Sequence, residues 1–216
     1  MSIKKMRRAY QLDGLHEKDI DSDPMVQFQS WFSEALQSDR PAWMEINAMT
    51  LSTADPSSGA VSSRVVLLKG IQQGRLLFFT NYDSDKALHI AANPLVALCF
   101  FWPHLERQVR VEGLAAKSER QISVDYFHSR PRDSQLGAHV SVQSQPVPGR
   151  EGLEQRMAQL QQQYADQEVP CPENWGGYEV QPTRFEFWQG RPSRLHDRLC
   201  YQQEQSGRWS VVRLSP

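Results

Sequence analysis

Between positions 47 and 115 the chain runs through five short segments rich in β-branched or aromatic residues, each closed by turn formers. They cover 48–53, 61–69, 76–80, 95–102 and 108–115, and are separated by runs such as Asp55-Pro56-Ser57-Ser58-Gly59 and Gln72-Gln73-Gly74. In the last segment Val109 and Val111 alternate with Gln108, Arg110 and Glu112, which gives one apolar and one polar face. A short helix over 85–92 interrupts the series and stops before Asn93-Pro94. Many short strands, few helices and no regular strand–helix alternation predict an antiparallel β-barrel with peripheral helices.

The flanks are consistent with that architecture. Residues 1–22 are polar and aperiodic, and read as an arm that is mobile unless something binds it. Asp23-Pro24 then opens a helix as N-cap and first turn, and Met25, Phe28, Trp31, Phe32, Ala35 and Leu36 give it one apolar face. Residues 23–216 read as a single domain. Its second half holds a helix over 118–129 with Ser118 and Gln121 as a capping box, another starting at Pro131, and a Gln-rich one over 152–166. Strands over 184–188, 199–204 and 209–214 close the chain.

Charge narrows the function. Lys and Arg number 24 against 25 for Asp and Glu, so no global field draws the protein to nucleic acid. Basic character is local, which suits a small anionic ligand. The three cysteines (Cys99, Cys171 and Cys200) contain no Cys-x-x-Cys pair, which argues against a disulfide framework or a structural zinc and fits a reducing compartment. No apolar run approaches the ~20 residues that span a bilayer, and the basic start lacks a following apolar region, so the expected address is the cytosol. The six histidines show no metal-ligand pairing, and no Rossmann, P-loop or nucleophile-elbow motif occurs.

Several constellations carry candidate chemistry. Trp188, Arg194, His196 and Arg198 crowd one closing segment, and on a strand the last three would share a face. The segment is equally compatible with a solvated basic turn. Tyr126, Arg130 and Ser134 are spaced i, i+4, i+8; if the helices continue across Pro131, a phenol, a guanidinium and a hydroxyl converge on one side. A capped helix–turn–helix with a surface arginine is the plain alternative. Arg64 and Lys69 bracket an apolar strand and, five apart, would face opposite sides of the sheet. Phe79-Thr80-Asn81 with Lys86, and the loop Gln143-Ser144-Gln145, complete the set. These groups suit phosphate-bearing ligands but name no reaction.

Taken together the motifs resemble a known family. Arg64-Val65-Val66-Leu67-Leu68-Lys69, Glu106-Arg107-Gln108-Val109-Arg110-Val111, 126–135 (Tyr-Phe-His-Ser-Arg-Pro-Arg-Asp-Ser-Gln), Trp175-Gly176-Gly177, Glu186-Phe187-Trp188-Gln189-Gly190 and Arg194-Leu195-His196-Asp197-Arg198 are similar, in order and spacing, to the signatures of the pyridoxine (pyridoxamine) 5′-phosphate oxidases. The resemblance runs from about Arg7 to the C-terminus. It implies an antiparallel split β-barrel of the FMN-binding type, working as a homodimer with FMN at the subunit interface, the C-terminal segment serving dimerisation and active site. It also implies oxidation of pyridoxine or pyridoxamine 5′-phosphate to pyridoxal 5′-phosphate, with O2 as acceptor, hydrogen peroxide as product and ammonia released from the amine.

By motif, the resemblance assigns Arg64, Lys86, Gln143 and Ser144 to the FMN phosphate, and Val65, Leu67, Leu68, Lys69, Phe79, Thr80, Gln108, Trp188 and Arg198 to the rest of the cofactor site. Lys69, Tyr126, Arg130 and Ser134 would grip the substrate phosphate. Arg194 and His196 would act on the pyridine ring, and Arg7 and Tyr10 of the arm would fold over it. Two positions depart from the family pattern: Phe79 stands where Tyr is frequent, and Asp85 where Arg is common, beside the phosphate site. The expectation is that Asp85 faces solvent and weakens FMN binding. The competing readings are a non-catalytic split barrel that binds flavin or pyridoxal phosphate, and an RNA-binding barrel. The first has no need of the substrate grip, and the second lacks a basic face and aromatic ladder.

Overall fold

The computed structural model of the chain describes residues 2–5, 9–12 and 14–216. Its first helix, α1 (Pro24–Gln37), starts as expected: the Asp23 side chain accepts the Met25 N–H at 2.8 Å, and Pro24 occupies the first turn. Phe28, Trp31 and Ala35 are buried, and the Phe28 ring packs on Phe100 and Trp102 of the sheet. Burying each such ring contributes about 2–3 kcal/mol, and this packing plugs one end of the core.

The strands are β1 (Ala48–Ala54), β2 (Val61–Leu67), β3 (Gly70–Gln72), β4 (Arg75–Asn81), β5 (Leu95–Trp102), β6 (Arg107–Lys117), β7 (Trp175–Gln189), β8 (Asp197–Gln203) and β9 (Trp209–Arg213). All pairings are antiparallel, in the order β2-β1-β5-β6-β7-β4-β3, with β8 and β9 added beside β7. The sheet curls so that β2 approaches β4. Alternating residues such as Met49, Leu51, Leu98, Phe100, Val109, Val111, Phe185 and Phe187 fill its interior. A second apolar cluster, built on Phe127, Leu136, Leu160, Val169 and Trp175, lies beneath helices α3 (Arg120–Ser129), α4 (Arg132–Val140) and α5 (Arg150–Gln163).

The long strand β7 is the hinge of the topology. One of its edges pairs with β6; the other pairs with β4 in its first half and with β8 in its second. Only its second half was expected from the sequence, because Trp175-Gly176-Gly177 and Pro182 read poorly as strand. Tertiary packing explains both features. A Cβ at Gly176 would stand 2.1 Å from the Tyr82 hydroxyl and 2.7 Å from Ser123 Oγ, so only glycine lets the strand pass this close. Pro182 lies where the β6–β7 register shifts, at a bulge that demands no N–H from it.

Other expectations need correction. The strand expected over 61–69 ends at Leu67, and a separate strand, β3, starts at Gly70 and forms a hairpin with β4 through Gln73 and Gly74, both at positive φ (50° and 74°). The capping box at 118–121 does not form: Ser118 Oγ meets the Ser123 hydroxyl, Gln121 donates to Asp125, and the helix starts at Arg120. Helix α5 begins and ends earlier than the expected 152–166. The shared strand face for Arg194, His196 and Arg198 is absent too. β8 begins only at Asp197, and Arg194 lies in a 3-10 turn in which Ser193 and Arg194 both hold positive φ (57° and 62°).

The helix α2 (Asp85–Ala92) occupies the expected residues. Of the arm, residues 9–12 and 14–22 lie along the barrel. Leu15 is buried, Arg213 grips Glu17 at 2.7 and 2.9 Å, and the Tyr201 hydroxyl donates to the Asp21 carbonyl at 2.7 Å. Among the described residues, no helix is long and apolar enough to cross a membrane.

Candidate active site

A cavity of about 810 Å³ opens between β2, β4, the start of α2 and the α3–α4 corner. One end is a cationic cradle. Arg64, on β2, donates to the Leu51 carbonyl (3.1 Å), Thr53 Oγ1 (2.9 Å) and Ser62 Oγ (2.6 Å). Lys86, in the first turn of α2, is 8% exposed. Its Nζ donates to Thr80 Oγ1 and Ser84 Oγ at 3.1 Å and to Gln143 Oε1 at 3.2 Å. All these acceptors are neutral, and among the described residues neither cation makes an ion pair. Burial holds the Lys86 ammonium down to about 8, with the Arg64 charge pushing the same way and Asp85 opposing both. Two partly buried cations that make no ion-pair contact are complementary to a phosphate. Asp85 is exposed at the rim, as expected; its backbone N–H donates to Ser144 Oγ at 3.3 Å.

Tyr126, Arg130 and Ser134 line the same cavity. The two helices are not continuous: α3 ends at Ser129, Arg130 is extended, and α4 starts at Arg132. The three side chains nevertheless reach one cavity because the helix ends meet there. The rings of Phe79 and Tyr126 stack at 4.0 Å, and Phe79 stacks on Trp175 at 5.4 Å. The Arg130 guanidinium lies 4.7 Å from the Trp175 ring. Its Nη1 is buried without a hydrogen-bond partner, an arrangement that an incoming anion would complete. Lys69 lines the same cavity as Arg64, contrary to the opposite-face expectation, because β2 stops at Leu67 and strand alternation ends there.

Of the remaining candidates, Val65, Leu67, Phe79, Thr80, Gln143 and Ser144 also line the cavity, whereas Leu68 is buried in the core. A second group lies elsewhere in the subunit. Gln108, Trp188 and Arg198 are register neighbours across β6, β7 and β8. Arg198 makes a bidentate pair with the buried Glu186 at 3.0 and 3.1 Å. The Trp188 ring packs 4.7 Å from His196, and Tyr10 of the arm stands edge-on to both. His196 Nδ1 accepts the Arg191 N–H at 3.1 Å, which places the ring proton on Nε2. Burial, helped by the Arg194 charge, lowers its pKa, so the neutral imidazole offers an N–H donor. Arg194 is exposed, and Arg7 lies outside the described residues.

Sequence reasoning left out Trp175, Glu106 and Glu186 as site residues. The Trp-Gly-Gly run signalled the first, and a charge between two phenylalanines signalled Glu186. Nothing local marked Glu106.

Residues 37–164 match the family model described as pyridoxamine 5′-phosphate oxidase, and residues 175–216 match the pyridoxine 5′-phosphate oxidase C-terminal dimerisation region. A pyridoxine/pyridoxamine 5′-phosphate oxidase of Rhodopirellula baltica is 58% identical, covering 100% of this chain and 97% of its own. One from Leptospira interrogans is 50% identical over 99% and 98%. Among solved structures, PhzG of Burkholderia lata, in complex with tetrahydrophenazine-1-carboxylic acid, aligns with TM-score 0.85 at 26% identity, covering 95% and 99% of the two chains. A pyridoxamine 5′-phosphate oxidase-related, FMN-binding protein of Nostoc punctiforme shares the fold with TM-score 0.70 at 17% identity over 88% and 97%.

Proposed function

Because this chain belongs to the pyridoxine/pyridoxamine 5′-phosphate oxidase family, we propose that it oxidises the 4′ carbon of pyridoxine 5′-phosphate or pyridoxamine 5′-phosphate to give pyridoxal 5′-phosphate, with FMN as cofactor and O2 as final acceptor. The observation that carries this reading is that one cavity gathers more anion-binding groups than a single phosphate needs. Arg64, Lys69, Lys86, Tyr126, Arg130 and Ser134 all line it. A phosphorylated cofactor beside a phosphorylated substrate would use them all, Arg64 and Lys86 for the one and Lys69, Tyr126, Arg130 and Ser134 for the other.

FMN, when bound, supplies a two-electron acceptor that oxygen can reoxidise, giving hydrogen peroxide. The rest falls to the protein. Arg64, Lys86 and Gln143 hold the cofactor phosphate, and Arg130 holds the substrate phosphate with Ser134 and Tyr126. His196 donates from Nε2 to the substrate ring and so orients it, because its Nδ1 is already committed to Arg191. The alcohol loses two hydrogens to become the aldehyde; the amine also consumes one water and releases ammonia.

In a single subunit the Trp188–His196 group does not line the cavity, and residues 175–216 match a dimerisation region. The outer sheet face beside the cavity also exposes Val65 (67%), Leu95 (60%) and Phe101 (54%). A second copy seated on this apolar face would bring its C-terminal segment to the cavity and complete the site.

The test is direct. The purified protein, loaded with FMN, should consume oxygen with pyridoxine or pyridoxamine 5′-phosphate, form hydrogen peroxide and pyridoxal 5′-phosphate, and ignore unphosphorylated pyridoxine. Tetrahydrophenazine-1-carboxylic acid, the phosphate-free ligand bound by PhzG, is the contrasting compound. A protein that cannot take up FMN, or that prefers the phenazine, would sink the reading.

A further inference from the structure

The stretch of arm after Tyr10 is fastened to the barrel through its backbone. Glu106 Oε2 accepts the N–H groups of Gln11 (2.9 Å) and Leu12 (3.2 Å). The Leu12 carbonyl accepts from Arg191 Nη1 at 3.2 Å, and the Leu15 N–H donates to Asp197 at 3.0 Å. Glu106 is 4% exposed and sits at φ 55°, a left-handed conformation that disfavours a residue with a side chain. Its own carbonyl accepts the Gly190 N–H at 2.8 Å. At Gly190 a Cβ would stand 2.6 Å from the Tyr10 ring and 3.1 Å from Glu106 Cβ, so glycine leaves the slot that the tyrosine fills. One residue therefore fixes both sides of the slot: the arm by its carboxylate, the end of β7 by its carbonyl.

We propose that Glu106 is a positioning residue, a latch that holds Tyr10 against Trp188 and His196 and thereby shapes the substrate side of the site. The assignment rests on the oxidase reading for its effect on substrate, but not for the latch itself. Two variants separate the carboxylate from the fold. Glu106→Gln keeps the shape and loses the charge. Glu106→Gly removes the side chain while suiting the left-handed backbone, so it adds no backbone strain.

The experiment uses the full-length, FMN-loaded protein. Amide hydrogen exchange at Gln11 and Leu12 should quicken about tenfold in Glu106→Gly, the size of a lost charge-assisted hydrogen bond, and about threefold in Glu106→Gln, whose amide oxygen still accepts, while the β5 and β6 amides stay protected. KM for pyridoxine 5′-phosphate should rise by a similar factor, with kcat within about twofold and FMN retained. In a Tyr10→Ala background the Glu106 substitutions should leave KM nearly unchanged, because the group they position is gone. Unchanged exchange at Gln11 and Leu12 overturns the latch. An equal KM effect with and without Tyr10 overturns the positioning role and leaves a merely structural one. If the wild-type protein does not turn over pyridoxine 5′-phosphate, the oxidase reading falls, while the exchange rates still decide whether Glu106 holds the arm.

Discussion

Replacing Lys86 by methionine separates what the fold needs from what the ligand needs. The ammonium is held at about 8 against 10.5 for a free lysine, first by burial and then by Arg64. That depression corresponds to roughly 3 kcal/mol against the charged form at neutral pH. Methionine removes this cost but also removes three hydrogen bonds, to Thr80, Ser84 and Gln143, worth about 1 kcal/mol each. The two offset each other, so the apoprotein should keep its stability to within about 1 kcal/mol at pH 7. The sign changes with pH. Between about 8 and 10.5 the unfolded chain keeps the Lys86 proton and the folded chain loses it, so wild-type stability rises with pH relative to the variant. FMN should respond differently, because the phosphate loses a partly buried cationic partner. Roughly 3 kcal/mol, or about a hundredfold in Kd, is expected. Wild-type affinity should itself weaken by up to tenfold per pH unit above about 8, a slope that Lys86→Met abolishes. Urea unfolding of the apoprotein and fluorescence titration with FMN measure the two effects. A variant destabilised by well over 3 kcal/mol at pH 7, with FMN affinity unchanged, would show that Lys86 serves the fold.

Four other outcomes are expected. Arg130→Gln should raise KM for pyridoxine 5′-phosphate by roughly a hundredfold while FMN affinity holds, since its buried Nη1 has no hydrogen-bond partner within the subunit and is proposed to meet the substrate phosphate; steady-state kinetics with an FMN titration decides. His196→Asn should leave the pH profile of kcat/KM unaltered between about pH 5 and 8, because the wild-type ring is a donor; loss of the acidic limb would make it a base. Asp85→Arg should tighten FMN by roughly fivefold at low salt, with the gain shrinking in high salt, as titration at two ionic strengths would show. Gly176→Ala should cost roughly 2–3 kcal/mol in thermal unfolding, and Tyr82→Phe in the same chain should recover part of it by removing the oxygen that the Cβ strikes.

Features governed by neighbours in the chain were legible before the structure. The Asp23-Pro24 start of α1, the bounds of α2, the alternation of Val109 and Val111 in β6, and the all-antiparallel pattern depend on caps, turn residues and period-two burial, all of which act within a few residues. The resemblance likewise rested on contiguous motifs. What only the tertiary structure decided was set by atoms distant in sequence. The first half of β7 is a strand because Gly176 and Gly177 slip beneath Tyr82 and Ser123, not because glycine favours strands. Arg64 and Lys69 share a cavity because the strand ends between them, and Tyr126, Arg130 and Ser134 meet across a helix break that period counting could not see. The role of Glu106 is the clearest case. Its partners lie more than ninety residues away, in an arm that by composition alone reads as unattached. Composition and pattern determined which residue types this protein offers to an anionic ligand. Packing decided which of them face the cavity, because buried cations without an ion-pair partner exist only once the chain has closed around them.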